Sequence, residues 1–169
     1  KEIFNEKIID SIIDDDENSL NLILSQLDKS NLLVNLKFSI RKYKLPEIFK
    51  KNPTFLCLCS FFNAQNCFNF LCDIIPRSLL FDEFNKTDDK KRKLIHFAVA
   101  GGCLPFIYLL EELGFDIIHE CDIDGYEPIH YSAKSGTIEV FRFLHAKRAN
   151  IFSTTAFLAP FQIECQIKK

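Results

Sequence analysis

The sequence predicts an all-α fold, a solenoid of stacked antiparallel helix pairs with short β-hairpin fingers. The first observation is the pattern of residues 122–150, where Pro128 opens a short helix and Gly136 ends it. A second helix follows, with apolar residues spaced three and four apart. Two short helices cannot bury their apolar faces alone, so we expect copies of this unit on both sides.

The second observation is such a copy, shifted upstream along the chain. His96 and His130 are 34 residues apart. The same shift pairs further positions: Ala98 with Ser132, Gly102 with Gly136, Leu109 and Leu110 with Phe143 and Leu144, and Asp116 with Asn150. A repeat of this length indicates an array of helical units that share one continuous core.

The unit resembles the ankyrin repeat, whose pattern is Asp-x-x-Gly, Thr-Pro-Leu-His, Ala-Ala, Gly, Val-Val-x-x-Leu-Leu and Gly-Ala-Asp. The matching residues are Asp122, Gly125, Pro128, His130, Ala133, Gly136, Val140, Leu144, Ala149 and Asn150. Two departures are Glu127 in place of Thr, which predicts a changed contact to His130, and Arg148 in place of Gly, which predicts a looser exit from the second helix. The resemblance implies that His96 and His130 are structural and tie each turn to neighbouring backbone. The Phe-, Asn-, Ile- and Lys-rich composition of residues 1–121 is similar to that of divergent ankyrin proteins of protists.

In chain order, the first repeat is predicted at residues 1–28. An amphipathic helix over residues 2–13 is followed by an acidic run and a second helix. We place Asp16 at the glycine position of the repeat, where it would cap the second helix. Residues 29–51 fit either a degenerate repeat or a helical linker.

The later repeats are predicted at residues 52–85, 88–121 and 122–153, with a half repeat at 154–169. Asn63 occupies the glycine position in the first of these, and the charged run 86–93 forms a finger ahead of the next. A half repeat leaves an apolar face without its second helix. We therefore expect this array to be part of a longer chain.

Composition excludes several classes of partner. The chain has 169 residues, of which 47% are hydrophobic, and a net charge of -2, which predicts no general affinity for nucleic acid. The uncharged run 94–110 contains glycines and a proline and is short for a membrane span, so we expect no membrane insertion. Seven cysteines, an odd number, lie mostly in apolar helices. They predict core thiols in a reducing, cytoplasmic setting rather than disulfides.

Catalytic and metal-binding patterns are weak. The sequence has no Gly-rich phosphate loop, no H-E-x-x-H and no paired C-x-x-C. The repeat register separates the possible metal ligands, which are Cys57, Cys59, His119, Cys121 and His145. We therefore expect no enzyme activity, no cofactor and no metal site.

The leading functional hypothesis follows from the resemblance, which implies a scaffold that binds another protein through its concave finger and first-helix face. The residues predicted to face that partner are Lys90, Arg92, Phe97, Ile123, Asp124, Tyr126, Tyr131 and Lys134. They mix aromatic rings with charge, as interfaces do. The basic run 90–93 is either a solvated turn or a contact for an acidic partner. Two alternatives are a structural component of a larger assembly, for example the cytoskeleton, and a targeting or regulatory module of a larger enzyme.

Overall fold

The computed structural model describes residues 2–26 and 45–153, with side chains from residue 6 onward. The predicted half repeat at 154–169 and most of segment 29–51 lie outside these described residues. The described part contains α-helices and one short 3-10 helix at Glu47–Lys51. The α-helices are α1 (Glu2–Ile13), α2 (Glu17–Ser25), α3 (Phe55–Phe62), α4 (Gln65–Ile74), α5 (Arg77–Asn85), α6 (Leu94–Gly101), α7 (Leu104–Glu112), α8 (Pro128–Ser135) and α9 (Ile138–Ala146).

The described residues form no β-strand, so the all-α prediction is confirmed for that part of the chain. The β-hairpin form predicted for the fingers is not confirmed, since the chain makes tight turns there.

Within the described residues, four helix pairs succeed one another, namely α1 with α2, α3 with α4, α6 with α7, and α8 with α9. The first helices pack side by side, α1 on α3, α3 on α6 and α6 on α8, while α2 contacts α4. Helix α5 is an addition to this pattern, placed between one pair and the next. The core follows the line of first helices, and α3, α6 and α8 each bury six or more consecutive residues.

Each pair has the same turn between its two helices. A residue with left-handed backbone ends the first helix, and the next N–H donates to the carbonyl five residues earlier. These left-handed residues are Asp15, Asn63, Gly102 and Gly136, with φ of 52°, 58°, 75° and 70°. Asparagine and aspartate tolerate this conformation better than other side chains, so Asn63 takes the glycine position as predicted.

Asp15 and Asp16, between α1 and α2, have different structural roles. Asp16 caps α2, because its carboxylate accepts from the N–H of Ser19 at 3.0 Å, and the capping prediction is confirmed. The glycine position belongs to Asp15, so the predicted register was wrong by one residue. Asp15 also caps α4 of the neighbouring pair, accepting from the N–H of Cys67 at 3.0 Å.

The turns at Gly102 and Gly136 instead contact the preceding pair. The Cys103 thiol donates to the Phe61 carbonyl at 3.0 Å, and the Thr137 hydroxyl donates to the Val99 carbonyl at 3.3 Å. A Cβ atom added to Gly101 would lie 2.1 Å from the carbonyl oxygen of Phe61. Glycine is therefore required there for the α6 backbone to approach α3 so closely.

The two repeated histidines make identical contacts. Nδ1 of His96 accepts from the N–H of Lys93 at 3.0 Å, and its Nε2 donates to the Glu120 carbonyl at 3.1 Å. Nδ1 of His130 accepts from the N–H of Glu127 at 3.0 Å, and its Nε2 donates to the Ser153 carbonyl at 3.1 Å. The structural role predicted for both histidines is confirmed. Glu127 has no hydroxyl group, and it contacts His130 through its backbone N–H instead.

The looser exit predicted for α9 is wrong. Arg148 itself adopts the left-handed conformation, with φ of 69°, where the preceding repeat has Gly114 with φ of 83°. At both exits the next N–H donates to the carbonyl five residues earlier at 3.0 Å. The arginine thus reproduces the glycine turn at the cost of backbone strain, about 1 to 2 kcal/mol.

The cysteines in α3 and α4 are free thiols, as predicted. Cys57, Cys59 and Cys67 are buried and Cys72 is half-buried. Burial raises the pKa of Cys57 to about 11 and the pKa of Cys72 to about 12, which leaves both thiols protonated and unreactive. These side chains act as small apolar groups in the core.

Candidate functional site: the concave groove

A concave groove of about 920 Å³ lies between the 3-10 helix, the turns ahead of α6 and α8, and the ends of the first helices. Its lining residues are Pro46, Glu47, Ile48, Lys50, Lys51, Phe61, Lys90, Arg92, Ala100, Asp122, Asp124, Tyr126, Tyr131, Lys134 and Ser135. Six of the eight residues predicted to face a partner are among them. Phe97 and Ile123 are the two that are not.

Two turns of the same construction form one side of the groove. We call residues 88–92 the first finger and residues 122–126 the second finger. Oδ1 of Asp88 accepts from the N–H groups of Lys90 and Arg92 at 2.8 and 2.9 Å. Oδ1 of Asp122 accepts from the corresponding N–H groups of Asp124 and Tyr126 at 2.9 and 2.8 Å. An aspartate at the first position thus fixes each finger by binding its own backbone.

The fingers are tied to one another along the groove. The N–H of Ile123 in the second finger donates to the carbonyl of Lys90 at 2.8 Å, and Nζ of Lys90 lies 2.6 Å from Oδ2 of Asp124. The N–H of Asp89 in the first finger donates to the carbonyl of Lys51 at 2.9 Å. The fingers and the end of the 3-10 helix therefore form one connected row.

Arg92 is buried and is not a free contact residue, so its predicted exposure is wrong. Its guanidinium donates to the Asp88 carboxylate and to the Ile48 carbonyl, and it lies 5.2 Å from the centroid of the Phe97 ring. Burial of a guanidinium requires such partners, because an unpaired charge away from water is costly. Arg92 thereby fastens the 3-10 helix to the first finger.

Phe97 is also buried, with no exposed surface, and the prediction that it faces the groove is wrong. Its ring packs 5.7 Å from that of Phe49, a fully buried residue of the 3-10 helix. The 3-10 helix covers the face of α6 that the repeat register would leave open. Phe97 therefore supports the groove from below.

Tyr131 lines the groove but exposes only 8% of its surface, which contradicts its predicted exposure. Its hydroxyl donates to Oδ2 of Asp122 at 2.5 Å, and its ring lies edge-on to His96 at 5.2 Å. Burial raises the pKa of Tyr131 well above its usual value, and the hydrogen bond to the Asp122 carboxylate adds to that shift. The phenol is a structural donor that holds the second finger against α8.

Only some of the residues predicted to face a partner are both accessible and part of the groove lining. Lys90, Asp124, Tyr126 and Lys134 line the groove with partly or well exposed side chains, while Ile123 is 56% exposed but lies outside the lining. The ring of Tyr126 packs edge-on against His130 at 5.6 Å, which orients it. These four residues are the contacts that the structure leaves available.

The basic run 90–93 is largely engaged within the chain. Lys90 pairs with Asp124, Arg92 with Asp88, and Nζ of Lys93 lies 2.6 Å from Oε1 of Glu120. A pairing of this kind offsets most of the positive charge locally. Lys91 is exposed, as a solvated turn requires, and the interpretation as a contact for an acidic partner stays a prediction.

Sequence reasoning missed the wall formed by the 3-10 helix. It brings Ile48, Lys50 and Lys51 to the groove. The signal was the basic pair that follows Pro46, but the segment has no copy elsewhere in the chain to set its register. Its position depends on the distant contact with Arg92.

The groove is cationic relative to the rest of the molecule. Its lining contains five cationic and three acidic side chains, whereas the whole chain has a net charge of -2. Lys50 pairs with Glu47, and Lys90 pairs with Asp124. Lys51 and Lys134 have no ion-pair partner among the described residues. An anionic group entering the groove would find positive charge not yet neutralised.

Stacked helix pairs, left-handed turns and repeated histidines define an α-helical repeat protein. Residues 95–145, which cover nearly all of α6 to α9, match the family model described as ankyrin repeats (many copies). For these residues the match confirms the resemblance to ankyrin repeats that the sequence indicated, and they include His96, Tyr126, Tyr131 and Lys134. A search of the curated proteins found no match.

Two other properties bear on the site. Within residues 2–26 and 45–153, no three side chains of His, Cys, Asp or Glu are grouped to hold a metal ion. None of the helices in these same segments has the length and apolar character needed to cross a membrane.

Proposed function

We propose that this chain is a non-catalytic protein interaction module that binds another protein in the concave groove. Ankyrin repeats generally mediate protein–protein interaction, and the repeat match includes most of the first-helix and finger residues concerned. The observation that carries the proposal is that four accessible predicted contact residues, Lys90, Asp124, Tyr126 and Lys134, surround one groove of about 920 Å³. Repeat proteins commonly bind partners on such concave surfaces.

The residues divide into contact and support. Tyr126 and Lys134 offer an aromatic ring and a cation to the partner, a combination that interfaces favour. Lys90 and Asp124 add an ion pair at the rim. Arg92, Phe97 and Tyr131 support the groove by fixing its walls.

The charge of the groove favours a partner with an acidic surface. Lys51 and Lys134 would attract such a surface during encounter and select against basic surfaces. The free thiols of α3 and α4 favour a reducing setting, and we place the protein in the cytoplasm. We also propose repeats bounded near 1–28, 52–85, 88–121 and 122–153.

A second candidate function, incorporation into a larger assembly, is favoured by apolar side chains outside the groove. Helix α5 exposes 42% of Leu79 and 70% of Phe81. The Phe81 ring lies 6.3 Å from that of Phe115, and Leu113 nearby in the chain is 50% exposed. A patch of this kind suits contact with a neighbouring subunit.

Affinity measurements with a purified partner distinguish the two functions. The partner is first identified by crosslinking and mass spectrometry of the intact protein, and its affinity is then measured by calorimetry. We expect Tyr126→Ser and Lys134→Gln to weaken binding about tenfold or more, while Glu139→Gln and Arg142→Gln on α9 leave it unchanged. Loss of binding in Phe81→Ser, with groove variants unaffected, would replace the groove by the assembly contact.

A further inference from the structure

The groove has an apolar floor and a cationic rim. Phe61, Ala100 and Ile48 contribute apolar surface to its lining. Lysines stand around this floor on three different elements, the 3-10 helix, the first finger and α8. This arrangement matches an occupant that has an apolar side chain at its centre and negative charge on both sides of it.

The lysines at the rim differ in how readily they can bind an anion. Lys51 and Lys134 have no ion-pair partner among the described residues. Lys50 and Lys90 are paired, but with the exposed carboxylates of Glu47 and Asp124, whose side chains are 86% and 39% accessible. Exposed pairs of this kind contribute little stability, so these lysines can exchange their partners for an incoming anion.

The size of the groove limits what can enter it. Its volume of about 920 Å³ lies within the range of about 300 to 1,000 Å³ that accommodates compact ligands. A short stretch of chain fits in that space, whereas a folded domain would rest on the rim and leave the floor empty. Filling the floor with an apolar side chain removes apolar surface from water, which stabilises the complex.

We infer that the groove binds a short linear segment of another protein, in which a bulky apolar residue is flanked by aspartate or glutamate. This inference rests on the proposed protein-binding function and specifies its partner. The apolar residue covers Phe61 and Ala100, and the flanking carboxylates pair with Lys51 and Lys134. These two lysines therefore determine which segments are accepted.

Selection of random linear peptides tests this specificity. A phage library of twelve-residue peptides is selected against the intact protein, and the recovered peptides are synthesised and measured by fluorescence anisotropy. We expect enrichment of Asp and Glu around one large apolar residue. The double variant Lys51→Gln, Lys134→Gln should bind these peptides about tenfold or more weakly, while Lys7→Gln, Lys147→Gln, with the same loss of charge outside the groove, should bind them normally.

Two peptide changes complete the test. Replacing Asp and Glu of the peptide by Asn and Gln should reproduce the loss caused by the double variant, and replacing its apolar residue by Ser should also weaken binding. Circular dichroism of each variant establishes that it is folded.

The other outcomes separate the two proposals. Neutral or basic peptides whose binding is lost in Tyr126→Ser would overturn the acidic specificity and leave the groove as the binding surface. Recovery of no peptide would overturn the linear segment in favour of a folded partner surface. Peptides insensitive to every groove substitution would overturn both the specificity and the proposed function.

Discussion

At the scale of single residues, burial changes the role of side chains that sequence reasoning assigned to a partner. The repeat register predicted correctly that Arg92 and Tyr131 lie on the concave side. It could not show that Asp88 and Asp122 would bind their polar groups, since such contacts depend on how each finger folds back. Residue type and register therefore predict a side of the molecule better than they predict exposure.

Removing the Tyr131 hydroxyl tests this reassignment. Tyr131→Phe should lower the free energy of unfolding by about 1.5 to 3 kcal/mol, because it removes a buried hydrogen bond to the Asp122 carboxylate. Tyr108→Phe is the matched control, since that side chain is 46% exposed and its hydroxyl has no hydrogen bond within the described part of the chain. Urea unfolding of both variants gives the comparison. If both substitutions lowered the free energy of unfolding by equal, small amounts, Tyr131 would be an exposed contact residue and not a buried donor.

The repeated histidines predict a pH dependence of stability. Burial lowers the pKa of His96 and of His130 below the usual value, despite opposing contributions from nearby carboxylates such as Asp122. The unfolded chain, with histidine pKa about 6.5, therefore binds more protons than the folded chain as the pH falls. Stability should be fully present above about pH 7 and should decrease as the pH falls through about 6.5.

Unfolding midpoints in urea at pH 7.5 and 5.5 measure this effect. His130→Gln should be less stable at pH 7.5 and should show a weaker dependence on pH. His145→Gln serves as the control, because that side chain is exposed. An unchanged pH dependence in His130→Gln would show that its protonation is not coupled to folding.

At the scale of elements, the turn between paired helices decides how closely successive pairs approach. Glycine at 102 and 136 and asparagine at 63 mark this turn in the sequence, so three of the four turns were predicted correctly. Asp15 was missed because neighbouring aspartates offer no residue-type signal to distinguish one position from the next. The contact of Gly101 with α3 was missed for another reason, since nothing local requires a glycine one residue before the turn.

A methyl group at Gly101 should separate two helix pairs. The added Cβ of Gly101→Ala would overlap the backbone of Phe61, so we expect a loss of at least about 2 kcal/mol in stability. Gly114→Ala is the matched control, because its Cβ would meet no atom within 4 Å and only its φ of 83° is unfavourable. That control should cost about 1 kcal/mol. Thermal unfolding followed by circular dichroism gives the comparison. A smaller loss of stability in Gly101→Ala than in Gly114→Ala would contradict the close contact.

At the scale of the whole molecule, the repeated elements were predictable from the sequence. The elements that depart from the repeat were not. The shift of 34 residues indicated the paired helices and brought most of the groove residues together. Helix α5 and the 3-10 helix have no counterpart in the other pairs, so no comparison within the chain could place them. The 3-10 helix is held by Arg92, 44 residues away from Ile48, and that contact forms the wall that sequence reasoning missed.

The central claim is that the concave groove is the surface that binds a partner. Its most direct test is photo-crosslinking in cells that express the intact protein, with a photoreactive amino acid placed at one position at a time. We predict partner adducts from Tyr126 and Lys134, and none from Glu139 or Arg142 on α9. Adducts from α9 or from Phe81 on α5, with none from the groove positions, would contradict the account.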